Sequence, residues 1–134
     1  MKRLYSDGYT IHKNPSDVGG GYVVMDEFEQ ILASVEVLKK GMTNNEAELL
    51  GVLKATELAM EGDTIITDSM NTLAWVLSPK RKIKARPDLK PQADLAYYNI
   101  QTKNLKLIQE PRETNLAGNY IEFTLQQNWE NKFK

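Results

Sequence analysis

The segment 43–49, Thr-Asn-Asn-Glu-Ala-Glu-Leu, constrains the fold of this chain more than any other stretch. Thr43 is a favourable N-cap residue, and Glu46, three residues later, completes a capping box, which predicts the start of a helix. The apolar spacing that follows extends this helix to about Met60. Helical periodicity places Glu46 on the solvated side and Glu48 close to the buried side. A carboxylate near a protein core requires a partner, usually a cation or a metal.

The composition limits the kinds of site that the chain can carry. Its 134 residues suit a single domain, residues 1–134. The absence of cysteine excludes disulfides and cysteine-ligated zinc, and the single histidine, His12, argues against a histidine-rich metal site or a Ser-His-Asp triad. With a net charge of −1, any basic surface for nucleic acid must be local. There is no membrane-spanning apolar run and no signal segment, so we expect a cytoplasmic protein without a membrane partner. We also expect a monomer.

Strand and helix patterns along the chain predict an α/β fold. The predicted strands are 4–11, 22–25, 31–38, 64–68 and 105–109, and the predicted helices are 43–60, 71–77, 88–102 and a last one capped by Thr114 or Asn115. Short turns join the first three strands, which predicts an antiparallel meander, whereas the last two strands are reached through helices. We therefore expect a five-stranded mixed sheet with helices on both faces.

Three acidic residues stand where structural acids are not expected. Asp7 interrupts the first strand just before Gly8, Asp68 ends the fourth strand, and Glu48 lies in the helix between them. If the first and fourth strands pair in parallel, Asp7 and Asp68 become neighbours, and the helix can bring Glu48 to the same place. Divalent cations relieve the repulsion of three close carboxylates, and oxygen-only ligation selects hard ions such as Mg²⁺ or Mn²⁺.

These motifs, taken together, resemble those of type 1 ribonuclease H. The match consists of Tyr-Ser-Asp-Gly at 5–8, the segment 43–49, Ile-Thr-Asp-Ser at 66–69 and Pro-Arg-Glu-Thr-Asn-Leu-Ala-Gly-Asn at 111–119. The resemblance implies a ribonuclease H-like fold and hydrolysis of the RNA strand of RNA–DNA hybrids. It also implies two metal ions at the scissile phosphate and products with a 5′-phosphate and a 3′-hydroxyl. Asp7, Glu48 and Asp68 would then be three members of the family's metal-binding cluster.

The sequence departs from the family pattern before and within the last helix. Asn119 stands where the family usually has its fourth acid; it could ligate a metal through its amide oxygen, or be a surface residue. Glu122, one helical turn later, is an alternative ligand. The family's usual histidine before this helix is absent, and the loop carries Arg112, which could bind the phosphate or aid product release.

The resemblance also implies contacts with nucleic acid. Gly8 would let the RNA approach the backbone, and Thr43, Asn44 and Asn45 match positions that touch the hybrid, whose minor groove displays 2′-hydroxyls. Met70 replaces a glutamine that is frequent in the family, so that contact is expected to be lost.

The run 80–86 lies where many members of the family carry a basic handle that grips the duplex. Lys80, Arg81 and Lys82 are therefore candidate phosphate contacts, and a solvated loop is an equally good interpretation.

Two other functions remain compatible with this pattern. Without a fourth acid, the chain could be a non-catalytic or weakly active module that binds hybrids or duplexes. It could also be a DNA nuclease of the same superfamily, against which the Asn44-Asn45 pair argues only moderately.

Overall fold

The computed structural model describes residues 2–78 and 86–128, and its centre is a five-stranded mixed sheet. The strands are β1 (Arg3–Thr10), β2 (Gly19–Asp26), β3 (Ile31–Leu38), β4 (Thr64–Thr67) and β5 (Lys106–Gln109). Their order in the sheet is β3-β2-β1-β4-β5. The pairs β1–β2 and β2–β3 are antiparallel, whereas β1–β4 and β4–β5 are parallel. This topology confirms the predicted α/β fold.

Four α-helices of the described segments cover the sheet. They are α1 (Asn44–Leu58), α2 (Met70–Leu77), α3 (Lys90–Thr102) and the short α4 (Leu116–Tyr120), which continues as a π-helical turn, Ile121–Leu125. Two 3₁₀ turns, Pro87–Leu89 and Arg112–Thr114, precede α3 and α4. Within the described ranges no helix combines the length and the apolarity needed to cross a membrane.

Two apolar cores lie on opposite faces of the sheet. Side chains alternate in direction along a strand, so Leu4 and Val24 join α1, α2 and α3 in one core, whereas Tyr9 and Val23 join α4 in the other. Ile121, in the π-helical turn, belongs to this second, smaller core. The prediction of helices on both faces is therefore confirmed.

Helix α1 begins as predicted but ends earlier. Thr43 caps it, because its Oγ1 accepts a hydrogen bond from the backbone N–H of Glu46 at 3.2 Å. The helix ends at Leu58, where Lys103 Nζ donates to three carbonyl oxygens of the last turn at 2.9–3.0 Å. Met60, the predicted end, lies beyond the helix and is 70% exposed.

Candidate active site

Asp7 occupies the middle of the sheet. It lies on β1, the central strand, between the antiparallel partner β2 and the parallel partner β4. Its side chain is 0% exposed, although Arg112 contacts one of its two oxygens. A buried carboxylate in this position is costly unless other groups compensate its charge.

Helix α1 brings Glu48 to Asp7 because the backbone of the helix passes directly over Gly8. A Cβ atom added to Gly8 would lie 2.4 Å from Ala47 C and from Glu48 N, closer than such contacts allow. Only glycine therefore permits this approach of the helix to β1. Glu48 is 8% exposed as a result.

Asp68 follows the last residue of β4 and completes the cluster. Since β1 and β4 run parallel, the predicted adjacency of Asp7 and Asp68 follows from the strand pairing. One oxygen from each of Asp7, Glu48 and Asp68 lies within 4.8 Å of the others. The structure thus brings together the three acids that the sequence singled out.

The proximity of these acids changes their proton affinities. Burial, together with the negative charge of Asp7, raises the pKa of Glu48 well above its ordinary value. Burial and the same charge raise the pKa of Asp68 to about 6, although Arg112 opposes this shift. Both carboxylates therefore hold protons more tightly than free side chains do, unless a cation enters the site.

Two carboxylate oxygen atoms of the cluster are available to bind a metal cation. Asp7 Oδ1 and Glu48 Oε2 are buried and have no hydrogen-bond partner among the described residues. Unpaired buried carboxylate oxygens are unfavourable, and a divalent ion would satisfy both of them. The donor set is oxygen alone, which fits Mg²⁺ or Mn²⁺.

Among the described residues, Arg112 is the cation that pairs with the cluster. Its Nη1 lies 3.2 Å from Asp7 Oδ2 and 3.5 Å from Asp68 Oδ2, and its side chain is 51% exposed. Burial lowers the pKa of Arg112, but the charges of Asp7, Asp68, Glu48 and, more weakly, Glu122 raise it overall. Arg112 thus touches the acids and faces solvent at the same time.

Asn115 links the acids to the last helix, a connection that the sequence did not reveal. Its Oδ1 accepts hydrogen bonds from the backbone N–H groups of Ala117 and Gly118, which confirms the predicted cap of α4. Its Nδ2 donates to the carbonyl oxygen of Ser6 at 3.0 Å and to Asp68 Oδ2 at 3.4 Å. A helix cap need not contact a distant carboxylate, so its capping role did not predict this bond to Asp68. The sequence pointed to Asn115 only through its place in the 111–119 motif.

The last helix brings Gly118 close to Asp7. A Cβ atom on Gly118 would lie 3.1 Å from Asp7 Oδ2. Asn119, the next residue, lines a separate groove beside Met25 and Phe123. The role of Asn119 as a metal ligand stays a prediction.

Three of the residues expected to touch nucleic acid line a neighbouring cleft of about 440 Å³, whereas Thr43 and Asn45 are not part of its lining. Gly8, Asn44, Glu48 and Arg112 line it, so the acidic cluster and the start of α1 open onto the same space. Met70, which stands in place of the family's glutamine, is exposed. The predicted basic contacts Lys80, Arg81 and Lys82 lie outside the described residues.

Hydrogen bonds fix the side chains at the start of α1. Asn44 Oδ1 accepts from Thr10 Oγ1 at 3.0 Å, and the backbone N–H of Asn44 donates to Asn14 Oδ1 at 3.0 Å. Asn45 Oδ1 accepts from Asn71 Nδ2 at 3.3 Å. Both amide oxygens accept bonds from the protein, so the amide N–H groups of Asn44 and Asn45 are the donors that face outward.

Comparison with solved structures finds the same fold in ribonucleases H1. RNase H1 of the halophilic archaeon Halobacterium salinarum superposes with a TM-score of 0.68 at 20% identity, over 94% of this chain and 98% of that one. An N-terminal RNase H domain from Mycobacterium tuberculosis superposes with a TM-score of 0.64 at 24% identity, over 87% of this chain and 91% of that one. LC11-RNase H1 from compost was solved in complex with an RNA/DNA hybrid. It superposes with a TM-score of 0.62 at 24% identity, over 93% of this chain and 99% of that one.

Comparison with sequence families gives a more specific result. No curated protein matches the sequence significantly. The RNase H family, however, matches residues 1–122, which include all four motifs and the three clustered acids. This match spans most of the chain, and the sheet order and solved structures agree with it. The chain belongs to the RNase H family.

Proposed function

We propose that this protein is a metal-dependent endonuclease that hydrolyses the RNA strand of RNA–DNA hybrids and leaves 5′-phosphate and 3′-hydroxyl ends. One observation carries the proposal: Asp7, Glu48 and Asp68 lie within 4.8 Å of one another in a chain of the RNase H family. Such a cluster of carboxylates suits the binding of cations that also bind a phosphate.

Asp7, Glu48 and Asp68 would hold the metal, with the unpaired Asp7 Oδ1 and Glu48 Oε2 as the first ligands. Two bound Mg²⁺ ions, or Mn²⁺, would supply an activated water and stabilise the leaving 3′ oxygen. The protein itself contributes rigidity: β1 fixes Asp7, α1 fixes Glu48, and Asn115 orients Asp68. Arg112, half exposed beside the acids, would bind the scissile phosphate or help the cleaved phosphate to leave.

The substrate preference rests on the donors at the start of α1. The outward N–H groups of Asn44 and Asn45 would meet acceptors in the minor groove of the hybrid, where 2′-hydroxyls distinguish RNA from DNA. Gly8, which lines the same cleft, leaves room for the RNA backbone. The hybrid bound to the compost enzyme of the same fold supports this choice of substrate.

The fourth metal ligand has two candidates, Asn119 and Glu122. Glu122 contributes to the electrostatic environment of Arg112, whereas Asn119 lines another groove. We therefore expect Glu122→Gln to weaken the binding of the second ion more than Asn119→Ala does. Calorimetric titration of both variants and of the original protein with Mn²⁺ would compare the two residues, and affinities equal to that of the original protein would show that neither is a ligand.

One experiment tests the proposed activity against its alternatives. Labelled RNA–DNA hybrid, double-stranded RNA, duplex DNA and single strands are each incubated with Mg²⁺, Mn²⁺ or chelator. We expect cleavage of the RNA strand of the hybrid alone, with metal, and no cleavage by the Asp7→Asn variant. Cleavage of duplex DNA would instead identify a DNA nuclease.

A non-catalytic module that binds hybrids is the second candidate function. It is favoured by one observation: Gly118, which has no side chain to offer, faces Asp7 where a fourth carboxylate could stand. Such a module would bind the hybrid without metal-dependent turnover, and the same experiment with a binding measurement would reveal it.

A further inference from the structure

Glu46 is buried in the first turn of α1, where the sequence predicted a solvated side chain. It is 5% exposed, and its carboxylate pairs with Lys39 Nζ, just beyond β3, and with Arg86 Nη2 at 3.3 Å. A buried carboxylate that loses its cations is strongly unfavourable. These two cations therefore hold the first turn of the helix in place.

Arg86 makes more of these contacts than Lys39 does. Its Nη1 donates to Thr43 Oγ1 at 3.0 Å, its Nη2 to Glu46 Oε1, and its Nε and Nη2 form a two-point contact with Asp88 at 3.0 and 2.9 Å. Thr43 and Glu46 precede Arg86 by 43 and 40 positions in the chain. The planar guanidinium suits such divergent bonds, which a single ammonium group cannot reproduce.

The bond from Arg86 also determines what Thr43 can offer to a ligand. Thr43 Oγ1 already accepts the N–H of Glu46 at 3.2 Å, so the second bond engages its other lone pair. The hydroxyl proton of Thr43 is then the group left to donate. Thr43, Asn44 and Asn45 consequently present donors together, in an orientation that depends on this turn.

We propose that Arg86 is a positioning residue: it fixes the capped first turn of α1 so that Thr43, Asn44 and Asn45 meet the hybrid in a single geometry. This inference rests on the proposed function, because it assumes that these three residues bind the hybrid. Arg86 is the last residue of the basic run 80–86, but its charge is directed at Glu46 and Asp88, not at a phosphate. Its removal lowers the affinity for the hybrid and leaves the metal-binding acids unchanged.

The salt dependence of binding separates this role from a direct phosphate contact. A side chain that neutralises a phosphate contributes about one unit to the slope of the logarithm of affinity against the logarithm of salt. A positioning residue changes the affinity at every salt concentration but leaves the slope unchanged. Hybrid binding of the full chain is measured in chelator by fluorescence anisotropy at several KCl concentrations.

The variants are Arg86→Ala, Arg86→Lys and the control Lys40→Ala, which removes an exposed charge from the same end of the domain. We expect Arg86→Ala to weaken hybrid binding and raise KM about tenfold, with kcat within about twofold of the original and an unchanged salt slope. Arg86→Lys should recover part of the affinity, and Lys40→Ala should bind almost normally. A folded Arg86→Ala protein with unchanged affinity, or with a slope lower by about one, overturns the proposal.

Amide hydrogen exchange supplies a measurement that does not depend on the substrate. We expect the Glu46 amide, capped by Thr43, to exchange about tenfold faster in Arg86→Ala and to regain protection in Arg86→Lys. Unchanged exchange would overturn the positioning role even if the protein bound no hybrid. Failure of the original protein to bind hybrid would overturn the proposed function instead, so the two failures are distinguishable.

Discussion

Arg112 Nη1 lies 3.2 Å from Asp7 Oδ2, so a half-exposed cation compensates a fully buried anion at the centre of the sheet. The contact uses one oxygen of Asp7 and leaves Oδ1 without a partner. A metal at Oδ1 and Arg112 at Oδ2 would therefore occupy different oxygens of the same carboxylate. They would still repel each other, because both are cations in a poorly hydrated site.

Replacing Arg112 by Met should strengthen metal binding while it slows turnover. The change keeps an unbranched side chain but removes the competing charge, which should raise the affinity for Mn²⁺ about five- to tenfold. Cleavage should slow because the phosphate loses its partner. Calorimetric titration checks the affinity, with Arg3→Met as the control, since Arg3 pairs with Glu110 instead of the acids. Weaker metal binding in Arg112→Met would contradict the proposed competition.

Glu48→Gln and Glu46→Gln should have opposite effects on stability, although the residues lie two positions apart. Glu48→Gln removes a buried charge that Asp7 repels, so the free energy of unfolding in chelator should rise by about 1–2 kcal/mol, and metal-dependent cleavage should disappear. Glu46→Gln removes the anion that Lys39 and Arg86 share, although Arg86 keeps Asp88, and should lower stability by about 1–3 kcal/mol, with much of kcat retained. Urea denaturation and cleavage assays measure both effects; the reverse pattern would mean that the two roles are exchanged.

The stability of the metal-free protein should fall as pH rises. Asp68 has a pKa of about 6 in the folded protein and an ordinary value near 4 when unfolded, so between these values the folded state binds more protons. The stabilising contribution is complete below about pH 4 and is lost as pH rises through about 6. Metal binding requires the deprotonated site, so the increase in Tm caused by Mg²⁺ should be larger at pH 7 than at about pH 5.

Thermal denaturation in chelator and in Mg²⁺, over a series of pH values, measures both trends. Asp68→Asn is the control, because it should reduce the pH dependence in chelator and the effect of Mg²⁺. A raised pKa of Asp68 requires the metal-free stability to fall between about pH 4 and pH 7. A rise over this range that disappears in Asp68→Asn would contradict it.

Local sequence signals were sufficient for the elements that place the three acids. The Thr43 cap and the apolar spacing predicted α1, and the strands with their connecting turns and helices predicted the mixed sheet. The parallel pairing of β1 with β4 then accounts for the meeting of Asp7 and Asp68. These features depend on short-range periodicity and standard strand connections, which a single sequence displays.

Contacts between distant segments could not be predicted in the same way. Glu46 was expected in solvent because its helical position allows it, and its burial depends on Lys39 and Arg86, which no periodicity relates to it. The direction of Asn119 depends on the five-residue helix α4 and on where Asn115 anchors it. Successive residues of a helix point about 100° apart, so the sequence did not show that Gly118 comes close to Asp7.

Gly8→Ala should test how tightly α1 must pack on β1 for the site to form. The added methyl group would lie 2.4 Å from backbone atoms of Ala47 and Glu48, and backbone cannot move aside as a flexible side chain can. We expect a loss of about 2–3 kcal/mol in the free energy of unfolding and at least tenfold weaker Mn²⁺ binding, because Glu48 moves away from Asp7. Gly41→Ala is the matched control: no atom lies within 4 Å of its added Cβ, but its φ of +85° costs about 1 kcal/mol. This control should lose some stability and keep its metal affinity, whereas a Gly8→Ala protein with normal affinity would show that Glu48 does not depend on this close approach.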